Sequence, residues 1–410
     1  MEVSAPYGYT LNSEPVYFDV TADNAMEENA VTVVEVTKPN TAQKGVIRIS
    51  KSGEVFSSVT EADGIYQPVF AVKGLAGAVY EITAAEDIIT PDGTLRYAAG
   101  EVVDTVTTDE TGLAESKALY LGKYKVREIT APTGYVRNTE VHTAELVYAG
   151  QEVEITETAA DFCNERQKTA VSLDKILKQD ERFGIGKNGE LSAVTFGLFA
   201  AEELTAADCS IIPADGLLEI VSVDENGHAV CKTDLPFGSY YLKELSTDGH
   251  YILSDEKYPL VFEYAGQDTA LVEIKANGGA PIENKLLYGE IHGLKKDEDG
   301  NGLAGALIGL FRAGCTEFTT ENAILTATSA EDGSFSFARV PYGNWIVREI
   351  EAPTGFVLSA ETYPVTVNAD GCGDRGRNRK HPHPWHGTAY QDRSGLSRQQ
   401  ADGCGVHRLP

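Results

Sequence analysis

The chain has 410 residues and a formal net charge of −28, with 62 acidic against 34 basic residues. So acidic a chain disfavours nucleic acid and anionic membrane surfaces, and we expect neither as a partner. The six cysteines form no CxxC pair, so neither a disulfide framework nor a zinc site is predicted. The length allows about two to four domains, and no run approaches the roughly 20 apolar residues of a membrane span.

The chain opens on a motif that returns three times. An acid is followed by a tight turn and, seven positions after the acid, by an aromatic residue. The copies are Glu2–Tyr9, Glu128–Tyr135, Glu244–Tyr251 and Glu349–Phe356. A fourfold recurrence of this kind indicates internal repeats.

Residues 1–43 contain only the second half of a repeat, because they begin at the acid of the motif. We expect strands at Pro15–Val20 and Val31–Val36. A chain that opens in mid-repeat is expected to belong to a longer protein, so its signal peptide and anchor are expected outside this fragment.

Residues 44–167 form the first complete repeat. Its predicted elements are an opening strand Gly45–Lys51, a middle strand Leu75–Ile82, the motif at Glu128, a strand Ala144–Tyr148 and a closing strand Ala160–Asn164. Side chains alternate between the faces of a strand, so Lys51 shares the apolar face of Ile47 and Ile49.

Residues 168–287 repeat this plan, and residues 288–370 begin it again. In the last repeat a closing strand with an asparagine is due near residue 387 but is missing from the sequence. Residues 371–410 hold seven basic and three acidic residues, against the acidic trend of the chain. We expect this tail to be a frame-shifted gene end or a basic disordered segment.

The turns between the predicted strands are rich in Gly, Asp, Asn and Pro, and no long stretch has helical periodicity. Many short strands with such turns indicate an all-β fold. The repeat length of about a hundred residues fits one domain each. We therefore predict tandem Greek-key β-sandwich, Ig-like domains.

Each complete repeat places three polar residues on apolar strand faces: a lysine on the opening strand, the acid of the motif and an asparagine on the closing strand. The sets are Lys51, Glu128, Asn164 and Lys175, Glu244, Asn284. Two incomplete sets remain as unpaired candidates: Lys295 with Glu349, and Glu2 with Asn40.

These residue types suit one reaction. Burial lowers a lysine pKa and yields a neutral amine nucleophile, while a buried glutamic acid can move protons and polarise a carboxamide. Attack on the asparagine would expel ammonia and leave a Lys–Asn isopeptide bond. The alternative is a buried Lys–Glu ion pair beside a hydrogen-bonded asparagine. From the residues alone both interpretations stay open.

The ordered set of an LDK or ISK strand, a GAxYEI or FGLF strand, an E-x-x-A-P-T-G-Y turn and a closing asparagine resembles known repeats. It is similar to the B-type repeats of the Gram-positive collagen adhesin and to SpaA-like pilin domains, which have a prealbumin-like fold. The resemblance implies a lysine–asparagine bond in each complete set, with Glu128 and Glu244 as catalytic acids. Glu349, at the same motif position, is the third predicted catalytic acid.

The resemblance also implies a function. We expect a structural stalk, adhesin or pilin-like protein that is extracellular and attached to the cell wall, with neighbouring repeats as partners. It would not be an enzyme, because the bond forms once within the chain, and no cofactor or metal is expected. The alternative is a module that binds a host extracellular-matrix protein or glycan, for which the long insertion Ser52–Gly74 is the candidate site.

Overall fold

The computed structural model describes residues 1–20, 33–368 and 388–391. These residues form β-strands and two short 3-10 helices, Glu190–Ala193 and Ala276–Gly279. The predicted all-β fold class is therefore confirmed. Within the described residues, no helix has the length and apolar character needed to cross a membrane.

The first complete repeat is a two-layer sandwich. Its strands are β1 Lys44–Ala62, β2 Ile65–Gly74, β3 Val79–Ala84, β4 Ile88–Ile89, β5 Leu95–Tyr97, β6 Val102–Thr107, β7 Leu113–Glu115, β8 Leu119–Tyr120, β9 Gly122–Thr130, β10 Val141–Leu146 and β11 Ile155–Asn164. One layer is centred on β1, with β11 parallel to it, and the other has the order β10-β9-β3-β6. Apolar side chains of both layers, among them Ile47, Tyr80 and Val126, form the core between them.

The second complete repeat has the same plan. Its strands are β12 Lys168–Leu177, β13 Thr195–Ala200, β14 Leu204–Thr205, β15 Ile211–Ile212, β16 Leu217–Ser222, β17 His228–Val230, β18 Gly238–Ser246, β19 Lys257–Phe262, β20 Leu271–Lys275 and β21 Ile282–Asn284. The opening strand β12 pairs in parallel with β20 and then with β21. Strands β16, β13, β18 and β19 form the facing layer, and the core lies between the layers.

The last repeat contains β22 Tyr288–Leu294, β23 Leu307–Arg312, β24 Leu325–Thr328, β25 Ser334–Pro341, β26 Gly343–Glu351, β27 Thr362–Val367 and β28 Thr388–Gln391. Its layers have the orders β25-β22-β28 and β24-β23-β26-β27. Strand β28 is antiparallel to β22, whereas the closing strands of the complete repeats run parallel to their opening strands. The rest of the tail after residue 370, predicted to be frame-shifted or disordered, lies outside the described residues.

The insertion Ser52–Gly74 is not a free loop. Strand β1 continues through it to Ala62, and β2 returns antiparallel to β1. The end of this hairpin reaches the second repeat, where Ile65 pairs with Leu217 of β16 in parallel. The candidate segment for a host ligand is thus a hairpin that contacts the second repeat.

Two predicted strands are wrong. Pro15–Val20 and Val33–Val36 have no regular structure, and Val31 and Thr32 lie outside the described residues. The apolar residues that suggested strands here are exposed, for example Tyr17 at 88%. A strand needs a hydrogen-bonded neighbour as well as an apolar pattern, and the described residues provide none here.

Candidate functional site

The first site is assembled from three strands of one sandwich. Strand β1 turns Ile47, Ile49 and Lys51 toward the core, so that only 1% of Lys51 is exposed. Lys51 lies opposite Phe162 in the parallel pair β1–β11, and Asn164 follows two residues later on the same face. Glu128 lies near the end of β9 in the facing layer.

The three side chains are in direct contact. Lys51 Nζ donates to Asn164 Oδ1 and lies 3.1 Å from Glu128 Oε1. Asn164 Nδ2 lies 3.0 Å from each carboxylate oxygen of Glu128 and donates to both. The carboxylate therefore touches both the amine and the amide nitrogen.

The second complete repeat reproduces this arrangement with Lys175 on β12, Glu244 on β18 and Asn284 at the end of β21. Lys175 Nζ donates to Asn284 Oδ1 and lies 3.3 Å from Glu244 Oε1. Asn284 Nδ2 donates to Glu244 Oε1 and Oε2 at 2.8 and 2.9 Å. It also donates to Thr247 Oγ1 at 3.0 Å, a contact that the sequence did not predict.

Burial controls the protonation of both lysines. Neither Lys51 nor Lys175 has any exposed side-chain surface. Loss of hydration lowers the pKa of both lysines, and the neighbouring carboxylates Glu128 and Glu244 oppose this effect only in part. A larger fraction of the amine is therefore neutral at these two lysines than at an exposed lysine.

Aromatic rings line the first site. The rings of Tyr80 and Phe162 each lie 5.9 Å from Lys51 Nζ, and Phe196 lies 6.0 Å from Lys175 Nζ in the second site. Tyr80 is fully buried, and its hydroxyl has no hydrogen-bond partner among the described residues. These apolar walls exclude water from the amine and the amide.

The sequence analysis missed one group that recurs in every copy of the motif. The backbone N–H ten residues after the acid donates to one of its carboxylate oxygens. The pairs are Asn12 to Glu2 at 2.9 Å, Asn138 to Glu128 at 2.7 Å, Ser254 to Glu244 at 2.9 Å and Ser359 to Glu349 at 2.9 Å. The constant spacing was present in the sequence, but the donor is backbone and has no residue signature.

The incomplete sets are also brought together. Asn40 Nδ2 donates to Glu2 Oε1 and Oε2 at 2.9 and 2.8 Å. In the last repeat Lys295 Nζ lies 2.9 Å from Glu349 Oε1, beside a cavity of about 240 Å³ that also borders Tyr363. Among the described residues, no asparagine side chain joins Lys295 and Glu349 to complete a set of three.

Comparison with known proteins addresses the fold. Residues 71–159 and 289–375 match the family model of the SpaA prealbumin-like fold domain. These two segments are similar to that domain. The first SpaA segment contains Glu128, and the second contains Lys295 and Glu349. The expected resemblance to SpaA-like pilin domains is thus confirmed.

Individual relatives match parts of the chain. It is 33% identical over 92 residues to the trypsin-resistant surface T6 protein of Streptococcus pyogenes serotype M6, covering 22% of this chain and 16% of that protein. The Bacillus anthracis TIE protein superposes with a TM-score of 0.51 at 22% identity, over 80% of this chain and 49% of that one. BcpA, the major pilin subunit of Bacillus cereus, gives 0.32 at 16% identity, over 80% and 96%. The chain spans 16% of the length of the T6 protein and 49% of the TIE structure, and its likeness to TIE is one of fold.

Proposed function

We propose that this chain is a structural, pilin-like protein of the extracellular cell surface, attached to the wall, whose complete repeats close themselves with Lys–Asn isopeptide bonds. The bonds join Lys51 to Asn164 and Lys175 to Asn284. The SpaA prealbumin-like domains and the partial match to a streptococcal surface protein support the surface role. Binding of a host matrix protein or glycan stays a prediction.

One observation carries the chemical part of the proposal. In both sites a single buried carboxylate contacts the amine that must lose a proton and the amide nitrogen that must gain one. For Glu128 the distances are 3.1 Å to Lys51 Nζ and 3.0 Å to Asn164 Nδ2. A plain ion pair does not need this second contact, whereas proton transfer within hydrogen-bond reach does.

The reaction balances without any other reagent. The neutral amine of Lys51 attacks Asn164 Cγ and forms the new C–N bond. Glu128 takes a proton from Nζ and delivers a proton to Nδ2, and the C–Nδ2 bond then breaks to release ammonia. Water-excluding walls favour both steps, since they keep the amine neutral and strengthen the hydrogen bonds of the carboxyl group.

Intact-mass measurement of the full chain tests the proposal. We expect a mass below that of the sequence by two ammonia molecules, one for each complete set. Glu128→Ala should recover the mass of one ammonia, Glu244→Ala that of the other, and the double variant the full sequence mass. Glu115→Ala is the matched control, since Glu115 pairs with Arg48 on the exposed face of β1 and should leave the deficit unchanged. A wild-type chain of full sequence mass would reject the proposal.

A further inference from the structure

The chemistry uses only the first residue of the repeated motif, yet the spacing of seven residues from acid to aromatic is kept in all four copies. The structure gives the turn between them a second role. In the first complete repeat, the turn from Ala131 to Tyr135 lies against the second complete repeat. Gly134, for example, faces the ring of Phe237, and the hydroxyl of Tyr264 donates to Tyr135 O at 3.5 Å.

A glutamine of the second repeat binds this turn at both ends. Gln267 Oε1 accepts a hydrogen bond from Ala131 N at 2.9 Å, and Gln267 O accepts one from Arg137 N at 2.8 Å. The side chain of Arg137 also forms an ion pair with Asp268 at 3.0 Å. The turn is therefore held from outside its own sandwich.

The loop that carries Gln267 is itself fixed by a buried glutamine in the linker. Gln167 is fully buried; its Nε2 donates to Gly266 O at 3.2 Å and Thr269 O at 2.7 Å, and its Oε1 accepts from Ala265 N at 2.8 Å. Its backbone N–H donates to Gly134 O at 2.9 Å. Gln167 thus connects the turn of one repeat to the loop of the next.

The same set of hydrogen bonds between consecutive repeats, here called the joint, occurs one repeat earlier. Gln151 Oε1 accepts from Ala5 N at 2.8 Å and Gln151 O accepts from Leu11 N at 2.9 Å, while Gln43 N donates to Gly8 O at 2.8 Å. Both loops have the sequence Tyr-Ala-Gly-Gln, at residues 148–151 and 264–267. Two copies with the same hydrogen bonds show that the joint is a built feature of the repeats.

The joint lies next to the residue that binds the catalytic acid Glu128. The residue after Arg137 is Asn138, whose backbone N–H donates to Glu128 Oε2 at 2.7 Å. Gln267 holds both ends of the segment that leads from Glu128 to this N–H, since its side chain binds Ala131 N and its backbone carbonyl binds Arg137 N. An interaction between two repeats therefore supports one of the hydrogen bonds that hold the carboxyl group of Glu128.

We propose that Gln267 is a positioning residue for the Lys51–Asn164 reaction, so that the second repeat must be folded before the first closes at its full rate. This inference rests on the proposed function, because it concerns the rate of the same bond. It assigns the turns of the first two motifs as the surfaces on which the following repeats dock.

The experiment follows bond formation in the full chain after cell-free synthesis. Protease digestion and mass spectrometry would quantify two cross-linked peptides over time, one with Lys51–Asn164 and one with Lys175–Asn284. Gln267→Leu removes the side-chain acceptor and should slow the first bond about tenfold, since small losses of alignment are costly in rate. The second bond should form at the wild-type rate and serves as an internal control for folding of the second repeat.

Two further variants sharpen the test. Gln267→Glu keeps an oxygen acceptor for Ala131 N and should restore the rate of the first bond. Gln151→Leu disrupts the equivalent joint one repeat earlier and should leave both rates unchanged. The inference would be overturned if the first bond of Gln267→Leu formed at the wild-type rate, or if both of its bonds formed equally slowly. A wild-type chain without either cross-linked peptide would instead reject the proposed function itself.

Discussion

Lys51 and Lys175 are buried at a cost that their surroundings only partly offset. Taking an ammonium group and a carboxylate out of water costs several kcal/mol for each ion, and pairing returns part of it. The proposed isopeptide bond would replace the amine and the carboxamide with one neutral amide. It would therefore remove a charge that the core otherwise has to accommodate.

The unbonded site should show this cost as a dependence of stability on pH. In Asn164→Ala, Lys51 stays an amine whose folded-state pKa is lowered by burial from the ordinary 10.5. Between the two pKa values the unfolded chain binds more protons, so the free energy of unfolding rises with pH. In the bonded wild type Lys51 no longer titrates.

The measurement is thermal unfolding of the wild type and Asn164→Ala from about pH 7 to about pH 10. We expect the gap in Tm between them to narrow as the pH rises. A constant or widening gap would show that burial does not depress the pKa of this lysine.

The sequence alone predicted which side chains meet, because strand alternation places Lys51, Glu128 and Asn164 on core-facing sides. It did not predict the N–H of Asn138 or the hydroxyl of Thr247 at the second site. The first is a backbone donor, and the second depends on how a turn folds back over the closing strand. Such contacts are determined by loop conformation, which has no periodic signal.

Among the elements, the hairpin of β1 and β2 has an unusual position. It begins in the sheet that carries Lys51 and ends on the second repeat, where Val59 N donates to Ser210 Oγ and Gln67 Nε2 donates to Leu218 O, both at 2.8 Å. The guanidinium of Arg166, in the linker, lies 3.8 Å from the centre of the Phe70 ring. The hairpin therefore bridges the junction between the two complete repeats.

A charge on the face of this hairpin that packs against the second repeat should destabilise that repeat. Val59 packs against the core of the second repeat, so Val59→Asp buries an unpaired carboxylate or expels the hairpin. We expect a loss of about 1–3 kcal/mol in the free energy of unfolding. Val72→Asp is the control on the same hairpin, because Val72 is 64% exposed, and it should change stability by less than about 0.5 kcal/mol.

Denaturant unfolding with hydrogen exchange at β16 would measure both variants. Equal effects of the two substitutions would mean that the hairpin contributes no stability to the second repeat.

Strand prediction succeeded or failed for a physical reason that differs between elements. The opening strands alternate clearly and pair within their own repeat, so their sequence describes them well. The insertion after Lys51 was predicted to be a loop, but β1 and β2 pair with each other along it. Its residues are mostly half-buried or exposed, so they carry no clear alternation of apolar and polar positions. Pro15–Val20 has an apolar pattern but no pairing partner among the described residues.

At the scale of the whole molecule, the two proposed bonds would lie in series. A force along the chain would enter at β1, cross from Lys51 to Asn164, and continue through the short linker into β12. It would then cross from Lys175 to Asn284 and enter β22. The residues between each bonded pair would carry no load, so a chain under tension should not release them.

Single-molecule stretching should show this directly. With both bonds formed, neither complete repeat should lengthen the chain. Glu128→Ala should release the segment between Lys51 and Asn164, which are 113 positions apart, an added length of roughly 400 Å. Glu244→Ala should instead release the segment between Lys175 and Asn284, which are 109 positions apart. Wild-type repeats that unfold to their full length would contradict the proposed load path.

The most direct measurement is tandem mass spectrometry of proteolytic peptides from the wild-type chain. The account predicts two branched peptides, one in which Lys51 is joined to Asn164 and one in which Lys175 is joined to Asn284, each lacking one ammonia. Recovery of all four residues only in linear peptides of unchanged mass would contradict it.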